Sequence, residues 1–441
     1  MSITAVVVDL KSDFNTLFSA VADEPWALFL DSCDHPNSRY DFIFRQPEQV
    51  LTDITDWPQA LQSLLAQLPD YQGPSKVPFQ GGLAGAFSYD AGRALEQLPN
   101  HADSDIALPD IAIGLYSQAL VRCRQTHTTW LVAPAQQLAE LEQFWHAQQQ
   151  NDAATYNFQL TSAWQSNMTA ADYQAKFNQV QDYLHSGDCY QINLAQRFKA
   201  SFNGDAWAAY QYLREANKAP FSAFMRLPQG ALLSHSPERF LHVSPAGSVQ
   251  TKPIKGTRPR GDSEASDQAL ADELRSATKD RAENVMIVDL LRNDLSKVCL
   301  PSSVNVPKLF AIESYPAVHH LVSTVEGQLQ ANATALDLIA ACFPGGSITG
   351  APKIRAMEII DELEPQRRSF YCGSFGYISQ HGESDTNIAI RTLVASSEHI
   401  YCWAGGGLVV DSNGEEEYQE TLDKVAKIVP VLAATQESSE S

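Results

Sequence analysis

The chain has 441 residues, of which 44% are hydrophobic, so it is long enough for one large globular unit or for two or three smaller domains. Its 31 Lys and Arg residues oppose 52 Asp and Glu residues, and the formal net charge of -21 would repel nucleic acid and anionic membrane surfaces. The N-terminus lacks a basic, apolar leader and no run of about 18 apolar residues occurs, so we expect a cytoplasmic protein that binds neither nucleic acid nor membrane.

The first third of the sequence alternates short strands and loops, as in PWALFLDS at 25–32 and GGLAGAFSYD at 81–90. A polar, Gln-rich stretch at 132–157 follows a helical start and predicts a surface connection. We therefore distinguish an N-terminal region, 1–150, from a chemically denser region, 165–430, and expect a loose tail at 436–441. The seven Cys residues are scattered and never spaced as CxxC, which predicts buried thiols and argues against disulfides or a zinc site.

Periodic patterns dominate after residue 165. The segment from Asp172 to Ser186 has helical spacing and stops at Gly187, and the following CYQINLAQRF alternates as a strand. One long helix is predicted from Asp267 to about Leu291. The strands GSFGYIS, TNIAIRTLVA and YCWAGGGLVV and a helix from about Glu416 complete the pattern.

A short stretch, TKPIKGTRPRG at 251–261, crowds cations around one turn. Lys255 lies where a strand enters that turn, so it is either a surface residue or a reactive amine. Farther along, Arg391 interrupts an apolar strand pattern, which indicates either a buried salt bridge or a fork that binds a carboxylate. The three glycines at 405–407 allow either close approach of a ligand to the backbone or a bulge.

The glycine-rich segment from Gly345 to Gly350 has the outline of a phosphate-binding loop. However, Ala351 and Pro352 stand where that motif needs Lys and Ser or Thr, so we reject a nucleotide site. Thr349 ahead of Pro352 instead predicts a helix entry, whose unpaired N–H groups would attract a substrate carboxylate. An ordinary tight turn before a helix is the alternative.

Two acidic pairs are spaced i, i+3 on predicted helices: Asp280 with Glu283, and Glu417 with Glu420. This spacing places both carboxylates of a pair on one helix face, where a divalent cation would relieve their repulsion. Acidic helix faces are more often simply solvated, so the spacing alone leaves both interpretations open.

Taken together, these segments resemble the chorismate-utilising enzymes, the family of the anthranilate, aminodeoxychorismate, isochorismate and salicylate synthases. The matching pieces include GDCYQINLAQRF, SPERF, PIKGTRPRG, AENVMIVDLLRNDL, FPGGSITGAPKIRAMEIIDELE, IAIRT and AGGGLVVDSNGEEEYQETLDK, in order over some 240 residues. The N-terminal third resembles the same family. The resemblance implies an α+β fold of two interlocked subdomains, with two roughly orthogonal antiparallel sheets between outer helices in four layers, α/β/β/α.

The resemblance also implies roles for individual residues. Glu238 of SPERF matches the general acid, and Lys255 stands where anthranilate and isochorismate producers typically carry alanine. A lysine here is typical of the branch that aminates chorismate through a covalent lysine adduct, so we expect that activity. The alternatives are the branch that makes anthranilate and a non-catalytic chorismate-binding partner.

The family's cofactor is Mg²⁺, which would be held by Glu283, Glu417 and Glu420 with Asp280 at an outer position. Chorismate would contact a further set of residues: Arg391, Lys424, Gly406, Gly407, His320, Thr349, Tyr371 and Gln191. Ser32 matches a tryptophan pocket of anthranilate relatives or is an ordinary strand end, and His319 is expected to be exposed and without a role. No cysteine has the setting of a glutaminase nucleophile, so a separate glutaminase subunit would supply ammonia.

Overall fold

The computed structural model describes residues 2–36, 38–149, 156–315 and 318–437. Within these residues the first strands are β1 (Ile3–Val7), β2 (Leu28–Asp31), β3 (Tyr40–Phe44), β4 (Gln49–Leu51), β5 (Gly82–Phe87), β6 (Ile111–Tyr116), β7 (Ala119–Cys123) and β8 (Thr128–Pro134). The middle of the chain contributes β9 (Phe158–Leu160), β10 (Gln165–Ser166), β11 (Gln191–Gly204), β12 (Phe221–Leu227), β13 (Gly230–Ser236), β14 (Arg239–Val243), β15 (Ser248–Thr251) and β16 (Ile254–Pro259). The last strands are β17 (Asn305–Ser314), β18 (Val318–Gln328), β19 (Gly350–Ala351), β20 (Ser374–Ser379), β21 (Ser384–Asn387), β22 (Thr392–Ala395) and β23 (His399–Leu408).

Eleven α-helices connect these strands within the same described residues. They are α1 (Phe14–Ser19), α2 (Trp57–Leu65), α3 (Leu138–Gln148), α4 (Ala170–Ser186), α5 (Ala206–Asn217), α6 (Glu264–Ser276), α7 (Thr278–Ser296), α8 (Ala335–Cys342), α9 (Lys353–Leu363), α10 (Gly414–Lys424) and α11 (Val429–Glu437). Two short 3-10 helices lie at Tyr89–Ala94 and Gly346–Ile348. No helix of the described part of the chain combines the length and apolar character that crossing a membrane requires.

The helices begin and end where local side chains satisfy free backbone groups. Thr169 and Asp172 form a reciprocal capping box at the start of α4, and Gly187 ends that helix at a φ of 81°. Asn413 caps α10 by accepting hydrogen bonds from the backbone N–H groups of Glu415 and Glu416. The predicted boundaries of α4 and α10 are therefore confirmed to within a few residues.

Two antiparallel sheets organise the described residues. The larger sheet has 13 strands, in the order β1-β8-β7-β3-β2-β12-β13-β22-β23-β11-β10, with β9 and β19 also pairing β11. The smaller sheet has 10 strands, in the order β16-β18-β15-β14-β21-β20-β5-β6-β4, with β17 pairing β18. This architecture confirms the predicted α+β class.

Both sheets interleave strands from the N-terminal and C-terminal parts of the chain. In the larger sheet, Leu28 of β2 pairs with Met225 of β12. In the smaller sheet, Phe87 of β5 pairs with Ser374 of β20. The N-terminal third therefore supplies strands to each sheet beside strands that are synthesised much later.

Three buried apolar clusters hold the layers together. The largest joins side chains of both sheets with α2, α7 and α8. A second packs α1, α5 and α11 on the larger sheet, where Trp207 contacts Phe18, Phe29 and Phe224. A third packs α4 and α9 on β11 and β23. Because burying each large apolar side chain contributes about 1.5–3 kcal/mol, these clusters dominate the stability of the fold.

The structure corrects several of the sequence predictions. The single helix predicted from Asp267 to Leu291 is wrong: it is two helices, α6 and α7, separated at Ala277, whose ψ of 110° is extended. The strand TNIAIRTLVA is also divided, into β21 and β22, and Arg391 lies between them with a φ of 49°. Helix α9 begins at Lys353 with Pro352 as its N-cap, so Thr349 precedes the helix and does not cap it.

Two predicted boundary segments are only partly covered by the structure. The predicted surface connection at 132–157 contains the end of β8 and α3, while residues 150–155 lie outside the described residues. Of the predicted tail, residues 436 and 437 end α11, and 438–441 lie outside the described residues.

Candidate active site

Lys255 lies on an irregular part of β16. Ile254 pairs with Val322 and Thr257 with His320, so two residues of β16 oppose one residue of β18. Such a bulge redirects a side chain from the regular alternation of a strand. The partly buried Lys255 Nζ donates a hydrogen bond of 3.4 Å to the carbonyl oxygen of Ser347.

Gly256 completes this bulge and lets α7 approach it closely. Its φ is 77°, which favours glycine, and a Cβ at this position would lie 2.8 Å from Asp280 Cγ. The glycine after Lys255 therefore brings the first turn of α7, with Asp280, against the strand that carries the amine.

Glu238 lies between β13 and β14 and is buried. Its backbone N–H donates to Ser236 Oγ at 3.1 Å, and its carbonyl oxygen accepts from the N–H of Ile388 at 3.0 Å, so the turn is fixed at both ends. Burial raises the pKa of the Glu238 carboxyl to about 7, although Lys255 and the Ser347 side chain lower it. A carboxyl with this pKa is protonated in a large fraction of molecules near neutral pH.

The turn that contacts both Lys255 and Glu238 is held by a buried arginine. Arg368 donates to the carbonyl oxygen of Ile348 at 2.9 Å and to that of Asn193 at 2.6 Å, and it pairs with the buried Glu364 at 2.6 Å. This network ties the short helix at Gly346–Ile348 to β11. The sequence did not indicate the contacts of Ser347, because the glycine-rich segment predicts only a helix entry or a tight turn, and these contacts come from distant segments.

Thr349 and Tyr371 are buried beside this turn. Thr349 Oγ1 donates to the carbonyl oxygen of Gly345 at 3.1 Å. The Tyr371 ring stacks on Trp403 with the ring centroids 6.1 Å apart, and burial raises the pKa of its phenol. The positions of both residues are therefore fixed by their neighbours.

His320 and His319 are adjacent on β18. His320 is buried, its Nδ1 lies 2.9 Å from Thr257 Oγ1 in a hydrogen bond, and burial together with Arg391 lowers its pKa to about 4. His320 is therefore neutral near pH 7. The prediction that His319 is exposed is wrong: it is buried, with Ser314 Oγ 2.7 Å from Nδ1 and Asp267 Oδ1 2.9 Å from Nε2.

Arg391 follows β21 and is a candidate for binding an anion. Within the described residues its guanidinium forms no hydrogen bond and no ion pair, so the alternative of a buried salt bridge is wrong here. Burial lowers the pKa of the guanidinium, because a charged group is costly to remove from water. An unpaired, partly buried guanidinium is suited to receive a carboxylate.

Gln191 of β11 faces the glycine strand β23. It is 0% exposed, and neither its side-chain oxygen nor its nitrogen has a hydrogen-bond partner among the described residues. A Cβ at Gly407 would lie 2.4 Å from Gln191 Nε2. Gly407 therefore makes room for this amide, and a buried amide without partners indicates a group that a ligand satisfies.

Glu417 and Glu420 lie on one face of α10, as the spacing predicted. A Cβ at Gly406 would lie 3.1 Å from Glu417 Oε2, 3.6 Å from Glu420 Oε1 and 3.8 Å from Lys424 Nζ. Lys424 pairs with Glu420 at 2.6 Å and donates to the carbonyl oxygen of Gly405 at 2.7 Å. Two carboxylates and an ammonium group thus converge on the strand beside Gly406.

Glu283 and Asp280 lie on α7, opposite these carboxylates. Burial raises the pKa of Glu283, and the nearby charges of Glu417 and Asp280 raise it further, while Lys255 and Lys279 lower it. Asp280 accepts from Arg258 Nη2 at 3.3 Å. Two carboxylate-bearing helices therefore face one another across the site.

The carboxylates fit a magnesium ion in their chemistry, although Glu417 and Glu420 each pair with a lysine. Among the described residues, no group of three or more His, Cys, Asp or Glu side chains is arranged to hold a metal ion. Glu417 and Glu420 nevertheless converge beside Gly406, and oxygen donors from carboxylates are what Mg²⁺ prefers. The Lys279 Nζ to Glu417 Oε1 contact of 3.2 Å, which the sequence did not indicate, pairs one of these carboxylates.

Ser32 does not belong to this cluster. It lines a separate cavity of about 290 Å³, and its backbone N–H donates to Asp41 Oδ1 at 2.8 Å. Pro237 and Ile254 line the same cavity, and each is the chain neighbour of Glu238 or Lys255. The cavity therefore borders the two segments that carry the proposed chemistry.

Comparison with known proteins identifies the family and agrees with this fold. The chain belongs to the chorismate binding enzyme family, whose sequence profile matches residues 25–430. It is 51% identical over 434 residues to the aminodeoxychorismate synthase component 1 of Salmonella typhimurium, covering 94% of this chain and 95% of that protein. It is also 51% identical over 436 residues to the protein of the same name from Escherichia coli, with the same coverage.

A solved structure supports the architecture. The anthranilate synthase component I of Streptococcus pneumoniae superimposes with a TM-score of 0.79 at 29% identity, covering 89% of this chain and 92% of that one. The two-sheet α+β fold is thus shared with a structurally characterised relative.

Proposed function

We propose that this chain aminates chorismate at C4, with ammonia as the nitrogen donor, to give 4-amino-4-deoxychorismate for the synthesis of 4-aminobenzoate and folate. The observation that carries the proposal is the placement of Lys255 and Glu238 around the same residue, Ser347, in one site. Its close similarity to proteins named aminodeoxychorismate synthase component 1 supports the same activity.

Glu238 is the acid that protonates the leaving hydroxyl group. The C4 hydroxyl of chorismate leaves poorly as hydroxide, so a proton must reach its oxygen as the C4–O bond breaks. The Glu238 carboxyl, whose pKa burial raises to about 7, holds such a proton near neutral pH. The hydroxyl then departs as water.

Lys255 supplies the nucleophile in its neutral form. Its nitrogen bonds to C2, the electron pairs of the ring diene shift toward C4, and the C4–O bond breaks; the lysine nitrogen loses one proton. Ammonia next bonds to C4, the electron pairs shift back, and the C2–N bond breaks. A proton passes from the incoming nitrogen to the departing lysine nitrogen, so the amine is regenerated and the enolpyruvyl ether stays intact.

The remaining site residues bind and orient the substrate. Arg391 and Lys424, with backbone N–H groups near Gly406 and Gly407, would hold one carboxylate of chorismate. Gln191 stands where water-using relatives place a lysine base, and because an amide cannot take up a proton, attack by water is disfavoured. Neutral His320 would lie beside the substrate without adding charge.

Glu283, Glu417 and Glu420 would hold Mg²⁺, with Asp280 at an outer position. The bound ion would withdraw electron density through the ring carboxylate and so favour attack at C2. The same residues would otherwise carry several uncompensated negative charges beside a dianionic substrate, which would oppose binding.

The ammonia would come from a separate glutaminase subunit in the cytoplasm. All seven cysteines are free and buried. Burial raises the pKa of most of their thiols, as at Cys342 and Cys402. Cys123 is the exception, because burial of its thiol is outweighed by hydrogen bonds, chiefly with Thr126, which lower its pKa. The raised pKa values of the other thiols oppose activation as a glutaminase nucleophile. Unpaired thiols also suit a reducing compartment.

We further propose that the cavity lined by Ser32 binds tryptophan.

One incubation tests the activity directly. The purified chain is mixed with chorismate, Mg²⁺ and an ammonium salt, and the products are analysed by liquid chromatography and mass spectrometry. We expect 4-amino-4-deoxychorismate and no pyruvate. Fluorescent anthranilate with an equal amount of pyruvate would refute the proposal in favour of the anthranilate branch, and unchanged chorismate would favour a non-catalytic partner.

A further inference from the structure

The contact between Lys279 and Glu417 joins the two helices that carry the candidate metal ligands. Lys279 lies in the first turn of α7, and its Nζ is 3.2 Å from Glu417 Oε1 on α10. The Glu417 side chain is only 3% exposed, and the same oxygen accepts from Ser412 Oγ at 2.7 Å. A buried carboxylate needs such partners, because an unpaired charge is costly there.

Lys279 and Lys424 differ in how firmly each is held. Lys424 has two partners, the Glu420 carboxylate and the Gly405 carbonyl oxygen. Lys279 has a single hydrogen-bond partner among the described residues, Glu417, and its side chain is 52% exposed. Its four-carbon stem therefore allows the ammonium group to leave the carboxylate for water at small cost.

We propose that Lys279 is a displaceable counter-ion of Glu417, which competes with the divalent cation for this carboxylate and thereby sets the affinity of the metal site. The inference rests on the proposed function, because it takes Glu417 as a ligand of that cation. Binding of the cation exchanges one positive partner of Glu417 for another, and the Lys279 ammonium group moves into solvent. Lys279 is thus a residue that limits metal affinity, while Lys424 remains in place.

The chain offers a matched control for this exchange. Lys297 lies at the other end of α7, is 51% exposed, and pairs at 2.9 Å with Asp294, which is 1% exposed. Lys279→Met and Lys297→Met therefore each remove the charge of a half-exposed lysine that pairs with a buried carboxylate at an end of α7, although Asp294 keeps Lys353 as a second partner at 2.6 Å. Only the first change frees a candidate metal ligand.

The affinity of the chain for Mn²⁺ is measured by titration in the absence of chorismate. Electron paramagnetic resonance monitors the free and bound ion at each step. We expect Lys279→Met to bind Mn²⁺ about three- to tenfold more tightly than the wild-type chain, the range for removing one competing partner of a charged group. Lys297→Met and the charge-conserving Lys279→Arg should stay within about twofold of wild type. Unchanged or weaker binding by Lys279→Met, or an equal gain in Lys297→Met, would overturn the inference.

A second measurement detects the displacement itself. The wild-type chain is acetylated briefly with an N-hydroxysuccinimide ester, with and without Mn²⁺, and the peptides are quantified by mass spectrometry. Labelling of Lys279 should increase with Mn²⁺ while labelling of Lys297 stays constant; equal labelling of Lys279 in both conditions would contradict displacement. Failure of any Mn²⁺ to bind would remove this inference, whereas the ammonium assay decides the proposed function independently.

Discussion

The raised pKa of Glu238 makes a quantitative prediction about the pH dependence of catalysis. An ordinary glutamate, with a pKa of 4.5, is protonated in only about 0.3% of molecules at pH 7. With its pKa raised to about 7 by burial, half of the molecules carry the proton at that pH. Burial therefore increases the fraction of molecules ready to protonate the leaving hydroxyl by about 150-fold at pH 7.

The sign of the pH effect follows from the protonated form being active. As the pH rises through 7, Glu238 loses its proton, so the ratio of the wild-type kcat/KM to that of Glu238→Gln should fall about tenfold per pH unit above about pH 7.5, and the titration of Lys255, common to both proteins, cancels from this ratio. Glu238→Gln keeps the shape of the side chain but has no acidic proton. Its kcat/KM should be about 10²–10⁴-fold lower than that of the wild-type chain at pH 7.

The assay must separate Glu238 from the titration of the nucleophile. Initial rates of amination are measured between pH 6 and 9 with saturating Mg²⁺, and the total ammonium salt is adjusted so that free ammonia stays constant. Circular dichroism of each variant verifies folding. A ratio of wild-type to Glu238→Gln kcat/KM that does not change with pH, or a Glu238→Gln variant with near wild-type kcat/KM, would refute the assignment of Glu238 as the acid.

Three further predictions concern other residues of the site. Lys255→Ala should abolish a chorismate adduct that intact-protein mass spectrometry detects on the wild-type chain before ammonium is added; an adduct on the variant would assign the nucleophile elsewhere. Arg368→Met should lower the free energy of unfolding by about 3–5 kcal/mol in urea titrations, because it leaves buried Glu364 unpaired, whereas a loss below about 1 kcal/mol would contradict that role. Gly407→Ala should raise KM for chorismate, because its Cβ would lie 2.4 Å from Gln191 Nε2; an unchanged KM would show that Gln191 moves aside without consequence.

Local patterns made helices α4 and α10 predictable. The capping pair Thr169 and Asp172, together with Gly187, marks both ends of α4 in the sequence itself. The spacing of Glu417 and Glu420 likewise places both on one face of α10, since helical periodicity is a property of neighbouring residues. The order of motifs along the chain, compared with a known family, added the α+β class.

Features that depend on distant segments were missed. Nothing in the sequence around Ala277 breaks a helix, yet α6 and α7 separate there, where α7 packs against the Gly256 bulge. His319 appeared to be a polar surface residue, but Asp267 and Ser314 from other elements satisfy both ring nitrogens in the interior. The pairing of Lys279 with Glu417 spans 138 positions, so no local pattern indicates it.

The interleaving of the two sheets determines when the fold can close during synthesis. One edge of β2 pairs only with β12, and one edge of β5 pairs only with β20. Strand β20 ends about 290 residues after β5, so it is synthesised roughly 15–60 s later at common rates of translation. Until then the nascent N-terminal third presents unpaired strand edges, which invite aggregation. The order in which the ribosome delivers the strands thus leaves these edges unpaired for most of the synthesis, and a product truncated before β12 would never gain the later partners of β2 and β5.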